Sequence, residues 1–260
     1  MTVGNTSFYI KKGGIFLVIA IVDERISLAA KARLSELGFR VFALPRCERL
    51  PEATASHPDM LVFRLGRELF VEARYYEDNK ALFTELKESL PFIDIRAVQV
   101  TLCNEYPRDC VLNVLRMGER IFVKSDSVAP EILASASERG IKTVSVKQGY
   151  PACTVLALGK SHAITADRGM ARALSGEGIE VLLIEDGDIS LPPHEYGFIG
   201  GASGAFGNNV YFLGDPKIHR CGDEICAFCR ASGYEPVSLC SDILRDLGRI
   251  LFIDSEENYQ

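Results

Sequence analysis

No stretch of this 260-residue sequence is apolar for long enough to cross a bilayer. The run from Ile15 to Val22 has eight residues. A spanning helix needs about 20, so the run reads as a buried strand and no membrane partner is expected. A basic surplus is missing too. The net charge is −6, and affinity for phosphate backbones needs an excess of Lys and Arg, so a nucleic-acid partner is not expected either. No block of like charge forms an acidic tail or a basic arm. A secretion signal is not read at the N-terminus: Lys11 and Lys12 precede an apolar run soon broken by Asp23, Glu24 and Arg25. The expected location is therefore the cytoplasm, with the eight cysteines as reduced thiols. Linkers rich in Pro, Ser or Gly are absent, as are low-complexity segments. No G-x-G-x-x-G opens a helix after a first strand. GGASGAFG (200–207) is Gly-rich, but strand-like NNVYFLG follows it. No dinucleotide or other cofactor is expected.

What the sequence does have is ordinary globular composition, 47% hydrophobic and 25% charged, enough to build a sizeable core. It also has a repeat. Helix-like stretches that end in a turn and run into a short strand lie at 26–45, 81–100, 129–146, 167–184 and 222–239. Gly38, Gly140, Gly178 and Gly233 stand where a helix C-cap needs a left-handed residue, and Pro91 ends the second helix. The strands FRVFAL, IKTVSV and IEVLLI are rich in apolar and β-branched residues, as strands buried on both faces should be.

More strand-like sequence precedes each helix. In the middle three units two strand segments flank Gly66, Gly118 or Gly159, which predicts β-hairpins. The unit is therefore ββαβ, and five copies, at about 14–46, 57–100, 106–147, 150–186 and 196–254, nearly exhaust the chain as one domain. Repeats of this period point to a solenoid or a propeller. Five units with buried strands and outer helices fit a closed ring, a five-bladed α/β propeller with pseudo-five-fold symmetry. A doubly wound sheet is the competitor, but it needs single strands between helices.

The architecture resembles the pentein fold of the guanidino-group modifying enzymes, which include deiminases, amidinotransferases and dimethylarginine dimethylaminohydrolases. HPDM (57–60), YPRD with Asn113 (106–113), KQGYPACT (147–154), ITADRGM (164–170) and YGFIGGASG (196–204) are similar to motifs of an uncharacterised bacterial branch of that fold. The resemblance implies a central pocket for a small polar ligand, guanidine- or amidine-bearing. It also implies a cysteine nucleophile near the C-terminus. The matching stretch, LRDLGRILFID (244–254), has Ile250, Leu251 and Phe252 there, and Cys240 lies a strand earlier. Ribosome anti-association factors share the fold without such catalysis, so a non-catalytic binding or interaction protein is the alternative.

In a closed ring, loops from every unit converge on the axis. His57 and Asp59 can form an oriented base, or a plain turn. Asp109, with Asn113 beside it, sits where the resemblance implies a carboxylate that holds a guanidinium; the other reading is a surface ion pair. Cys153, in the segment with Gln148 and Tyr150, is a candidate nucleophile, a pocket wall or plain core, since nothing local would lower its pKa. Asp167 is a ligand contact or a helix N-cap. Gly200, Gly201 and Ser203 would cradle an anion or make a tight crossover. Asp215 and His219 add polar groups near the axis or form a turn. His219, Cys221, Cys226, Cys229 and Cys240 lack the usual zinc spacing, so no metal is expected.

Overall fold

The computed structural model describes residues 9–11 and 14–254. Its fold is mixed α/β, and five three-stranded sheets dominate it. In chain order of their helices, the first sheet joins Leu251–Asp254, Val18–Asp23 and Phe39–Leu44. The second joins Val62–Leu65, Glu68–Glu72 and Asp94–Val98. The third joins Leu115–Met117, Arg120–Val123 and Lys142–Ser145. The fourth joins Val155–Leu158, His162–Thr165 and Glu180–Leu183. The fifth joins Ser203–Phe206, Asn209–Phe212 and Glu235–Ser238.

Each of these five sheets has the same wiring. Its leading strand pairs antiparallel with the middle strand, and the middle strand pairs parallel with the trailing one. A parallel connection needs a crossover, and a helix supplies it each time: Leu28–Glu36, Lys80–Ser89, Pro130–Glu138, Arg168–Gly176 and Gly222–Ala231. Four of these helices end before a glycine at positive φ (Gly38, Gly140, Gly178 and Gly233), as the sequence predicts. The helix Lys80–Ser89 stops two residues before Pro91.

Two expectations change. The unit boundaries shift, because the first sheet takes its leading strand from the far end of the chain. Leu251–Asp254 lies antiparallel to Val18–Asp23, with Phe252 opposite Ala20 and Ile253 opposite Ile19. Residues 251–254 therefore do not complete the fifth sheet, whose own hairpin runs through 203–212.

The second change concerns burial. IKTVSV and IEVLLI read as strands buried on both faces, yet Lys142, Thr143, Ser145, Glu180 and Leu183 are exposed. These trailing strands have only one neighbour, so one edge and part of one face meet water. The buried strands are the middle ones. Val18–Asp23 is buried throughout, and Ile121, Phe122, Val123, Tyr211 and Phe212 are closed off from solvent.

The leading strands matter most for function. One cavity of about 130 Å³ is lined from the leading strand of every sheet, by Val62, Arg116, Ala157, Ala205 and Phe252 among others. Asp59 and Arg249, from the turns before two of those strands, also line it. No helix of the described residues is long and apolar enough to cross a membrane.

Candidate functional site

Each leading strand is preceded by a short irregular segment, and these segments carry a cluster of buried polar residues that reaches the cavity through Asp59 and Arg249. The turn Pro58–Leu61, with His57 at its N-cap position, precedes Val62. Asn113 precedes Leu115–Met117, and the turn Pro151–Thr154 carries Cys153 ahead of Val155. Gly200 and Gly201 precede Ser203, and residues 246–250 precede Leu251.

At the centre Cys153 Sγ donates to Asp59 Oδ2 at 2.8 Å. Asn113 Nδ2 donates to the same sulfur at 3.3 Å, and Asn113 Oδ1 accepts the Ala152 N–H at 2.8 Å. The amide thus fixes the Cys153 turn and its thiol together. Asp59 is held from below, its N–H donating to the Gly248 carbonyl at 3.2 Å. Asp59 Oδ1 is buried without a hydrogen-bond partner, and so are both ring nitrogens of His57. One nitrogen of His57 faces Asp23 Oδ2 and the other Asp246 Oδ1, each at 3.9 Å, too far to bond. Gly248 makes this packing feasible: with φ +67° it sits against the His57 side chain, where a Cβ would lie 2.2 Å from the His57 Cβ.

Burial dominates the electrostatics. It pushes Asp59 up to about 6 against the opposing influence of Cys153 and Arg249. It pushes Asp246 up to about 7, helped by the charge of Asp59. The same desolvation brings His57 down to about 3, with Asp23 opposing, so the ring is neutral. The Cys153 thiol is raised well above its ordinary value by burial and then by Asp59. Arg249 is half-buried, its open part facing the cavity. Its backbone has φ +64° and donates to the Gly201 carbonyl at 2.8 Å. Desolvation lowers its pKa while the Asp59 and Cys153 charges raise it.

Sequence reasoning missed four members of this region: Asp23, Arg25, Asp246 and Arg249. Asp246 accepts from the Phe198 and Gly248 N–H groups at 2.8 and 3.1 Å. Asp23 is clasped by Arg25 and by the Ser56 hydroxyl at 2.8 Å. Arg25 in turn donates to the carbonyls of Glu52 and Ala53. This clasp anchors the segment that leads into His57.

Other candidates have partners of their own. Asp109 accepts from the Tyr150 hydroxyl at 2.6 Å. Gln148 donates to Asp167 at 2.7 Å and accepts from the Tyr150 N–H. Asp167 caps its helix through the Met170 N–H at 2.8 Å. Asp215 caps a short turn through the Lys217 N–H, and His219 Nδ1 accepts from the Cys221 N–H. The last two flank the short turn Pro216–Ile218, ahead of the helix Gly222–Ala231. The glycine run makes a close crossing: the Gly201 N–H donates to the Cys153 carbonyl at 2.8 Å, and a Cβ on Gly200 would meet three carbonyls of residues 152–155. Ser203 Oγ donates to the Ile199 carbonyl. The spacing predicts no metal site, yet donor atoms of His57, Asp59 and Cys153 lie within 4.8 Å of one another.

A model of a family of unknown function (DUF6873) matches residues 21–251. The chain belongs to that family. No curated protein matches the sequence. Among solved structures, a dimethylarginine dimethylaminohydrolase adduct superposes with a TM-score of 0.54 at 12% identity, covering 87% of this chain and 92% of that one. An amidinotransferase of saxitoxin biosynthesis from Microseira wollei gives 0.54 at 12%, covering 91% and 83%. The inosamine-phosphate amidinotransferase of Streptomyces griseus gives 0.52 at 15%, covering 88% and 78%. Likeness at this identity concerns the fold, and the fold is that of the pentein superfamily.

Proposed function

We propose that the five sheets close around the cavity as a five-bladed α/β propeller, and that the protein binds a small amidine- or guanidine-bearing molecule there as a hydrolase or amidinotransferase. The observation that carries this reading is the 2.8 Å contact between Cys153 Sγ and Asp59 Oδ2, because a nucleophile needs a base within hydrogen-bond reach. Asp59 also lines the cavity. Solved structures that share the fold include enzymes of this chemistry, which supports the class of substrate.

The step proposed is as follows. Cys153 passes its proton to Asp59 as its sulfur bonds to the amidine carbon. The bond from that carbon to the leaving amine breaks, and the amine takes the proton from Asp59. Water or an acceptor amine then displaces the sulfur, which recovers a proton. Asn113 orients the sulfur.

A second reading is a binding protein without turnover. The raised, fully buried Cys153 thiol and the sequence LRDLGRILFID, without a cysteine, favour it. Assays with agmatine, arginine and methylarginines for released urea, ammonia or amine decide between the two. Turnover abolished by Cys153→Ala is expected. Ligand-induced thermal stabilisation without turnover sinks the enzyme and keeps the binding protein; no turnover and no stabilisation by any of them sinks both.

A further inference from the structure

We propose that His57, Asp59 and Cys153 form a binding site for one divalent transition-metal ion of the zinc type. The three side chains come from the segments before the second and fourth sheets, and each offers a ligand atom within 4.8 Å of the other two. Their side chains are almost closed to solvent, at 0%, 4% and 3% exposure. Three atoms at this spot, both nitrogens of His57 and Oδ1 of Asp59, are buried with no hydrogen-bond partner. Leaving such atoms unsatisfied costs about 1–3 kcal/mol each, and folded proteins seldom leave several together without something to meet them.

The donor set selects the ion. One thiolate, one imidazole and one carboxylate suit zinc or cobalt, whereas magnesium and calcium take oxygen ligands. Three protein ligands leave a fourth position open, the arrangement of accessible zinc sites. Tetrahedral bonds of about 2.3 Å to sulfur and 2.0–2.1 Å to nitrogen and oxygen put ligand atoms roughly 3.3–3.6 Å apart. The Cys153–Asp59 pair at 2.8 Å has to open slightly, and a pair at the 4.8 Å limit has to close by about 1.2–1.5 Å, a movement within the reach of side-chain rotation. The metal takes the place of the proton now shared between Sγ and Oδ2, so binding releases that proton.

The surroundings fit as well. Whichever nitrogen of His57 binds, the other faces a carboxylate, Asp23 or Asp246, at 3.9 Å. At that distance neither carboxylate bonds the ring, and one of them has to close in to complete a carboxylate–histidine–metal relay. Asn113 Nδ2 already donates to the sulfur. Among the described residues no other group of His, Cys, Asp and Glu assembles such a set, and the cysteines at 221, 226, 229 and 240 do not.

The site shares Cys153 and Asp59 with the proposed chemistry but does not depend on it. A metal-bound thiolate is not free to attack an amidine carbon, so the two occupants exclude each other.

The test is a cobalt titration of the chelator-treated protein, read by absorption. One equivalent is expected, with a thiolate-to-cobalt charge-transfer band and the visible bands of a tetrahedral ion. Cys153→Ser should abolish the charge-transfer band, and His57→Asn and Asp59→Asn should weaken binding at least tenfold while circular dichroism reports the native fold. X-ray absorption on the zinc-loaded wild-type protein, independent of any variant's folding, should show one sulfur among the ligands. No stoichiometric binding, or a first shell of nitrogen and oxygen alone, overturns the proposal. Turnover is measured separately, so absence of activity leaves the metal result standing, and the reverse holds too.

Discussion

Asp23→Ala should destabilise the protein by about 4 kcal/mol and loosen the segment that carries His57 and Asp59. Asp23 ends the middle strand of the first sheet, and its side chain is fully buried. It accepts from the Arg25 N–H at 2.7 Å, from Arg25 Nε at 2.9 Å and from the Ser56 hydroxyl at 2.8 Å. Removing one partner of a buried ion pair costs about 3–5 kcal/mol, because the other charge is left unpaired. Arg25 is 36% exposed, so water recovers part of that loss and the lower end applies. The orphaned Ser56 hydroxyl adds about 1 kcal/mol.

Arg25 also holds the carbonyls of Glu52 and Ala53, so the loss is carried toward His57. The assay is urea unfolding at pH 7 with chelator present, for Asp23→Ala, Arg25→Ala and the double variant. A coupling of about 1–3 kcal/mol between the two is expected. Alkylation of Cys153, followed by mass spectrometry, should quicken in the single variants. A cost for Asp23→Ala below about 1 kcal/mol, or additive single effects, refutes the argument.

Gly248→Ala should cost about 2–5 kcal/mol, since it adds a Cβ at positive φ and drives it into His57; a change in thermal midpoint of less than a degree argues against that contact. His219 should titrate below its ordinary 6.5, because burial disfavours its charged form. Its Nδ1 accepts the Cys221 N–H only when unprotonated. The stability this contributes is present above the unfolded value and is lost as pH falls through the lowered one. The imidazole resonances check it, and a midpoint at or above 6.5 is the opposing result.

Local features of this fold were legible in the sequence. The four helix-ending glycines and the hairpins around Gly66, Gly118 and Gly159 depend only on neighbours in the chain, and all appear. Burial of the trailing strands was misread because IEVLLI is apolar enough for a core strand. Whether a strand has one neighbour or two is a property of the sheet, not of its composition. The third case is closure: nothing local in LFID says that it pairs with residues 18–21.

Position within the unit, more than residue type, separates site residues from structural ones. Asp23, Glu72, Asp167 and Asp215 each lie at or just beyond the end of a middle strand, and each side chain accepts a backbone N–H two or three residues on. They share one structural task, starting the crossover that follows. Asp59, Asn113, Cys153 and Asp246 lie before leading strands, and of these Asp59 lines the cavity. At that position Asp167 and Asp215 each cap the helical turn that follows. Asp246 and Arg249 were hidden in the sequence. Their segment becomes the approach to a leading strand only when Leu251–Asp254 reaches back to Val18–Asp23. The pairing that completes the first sheet is thus also what brings Asp246 against His57 and Arg249 to the cavity, so loss of that strand would dismantle the site along with the sheet.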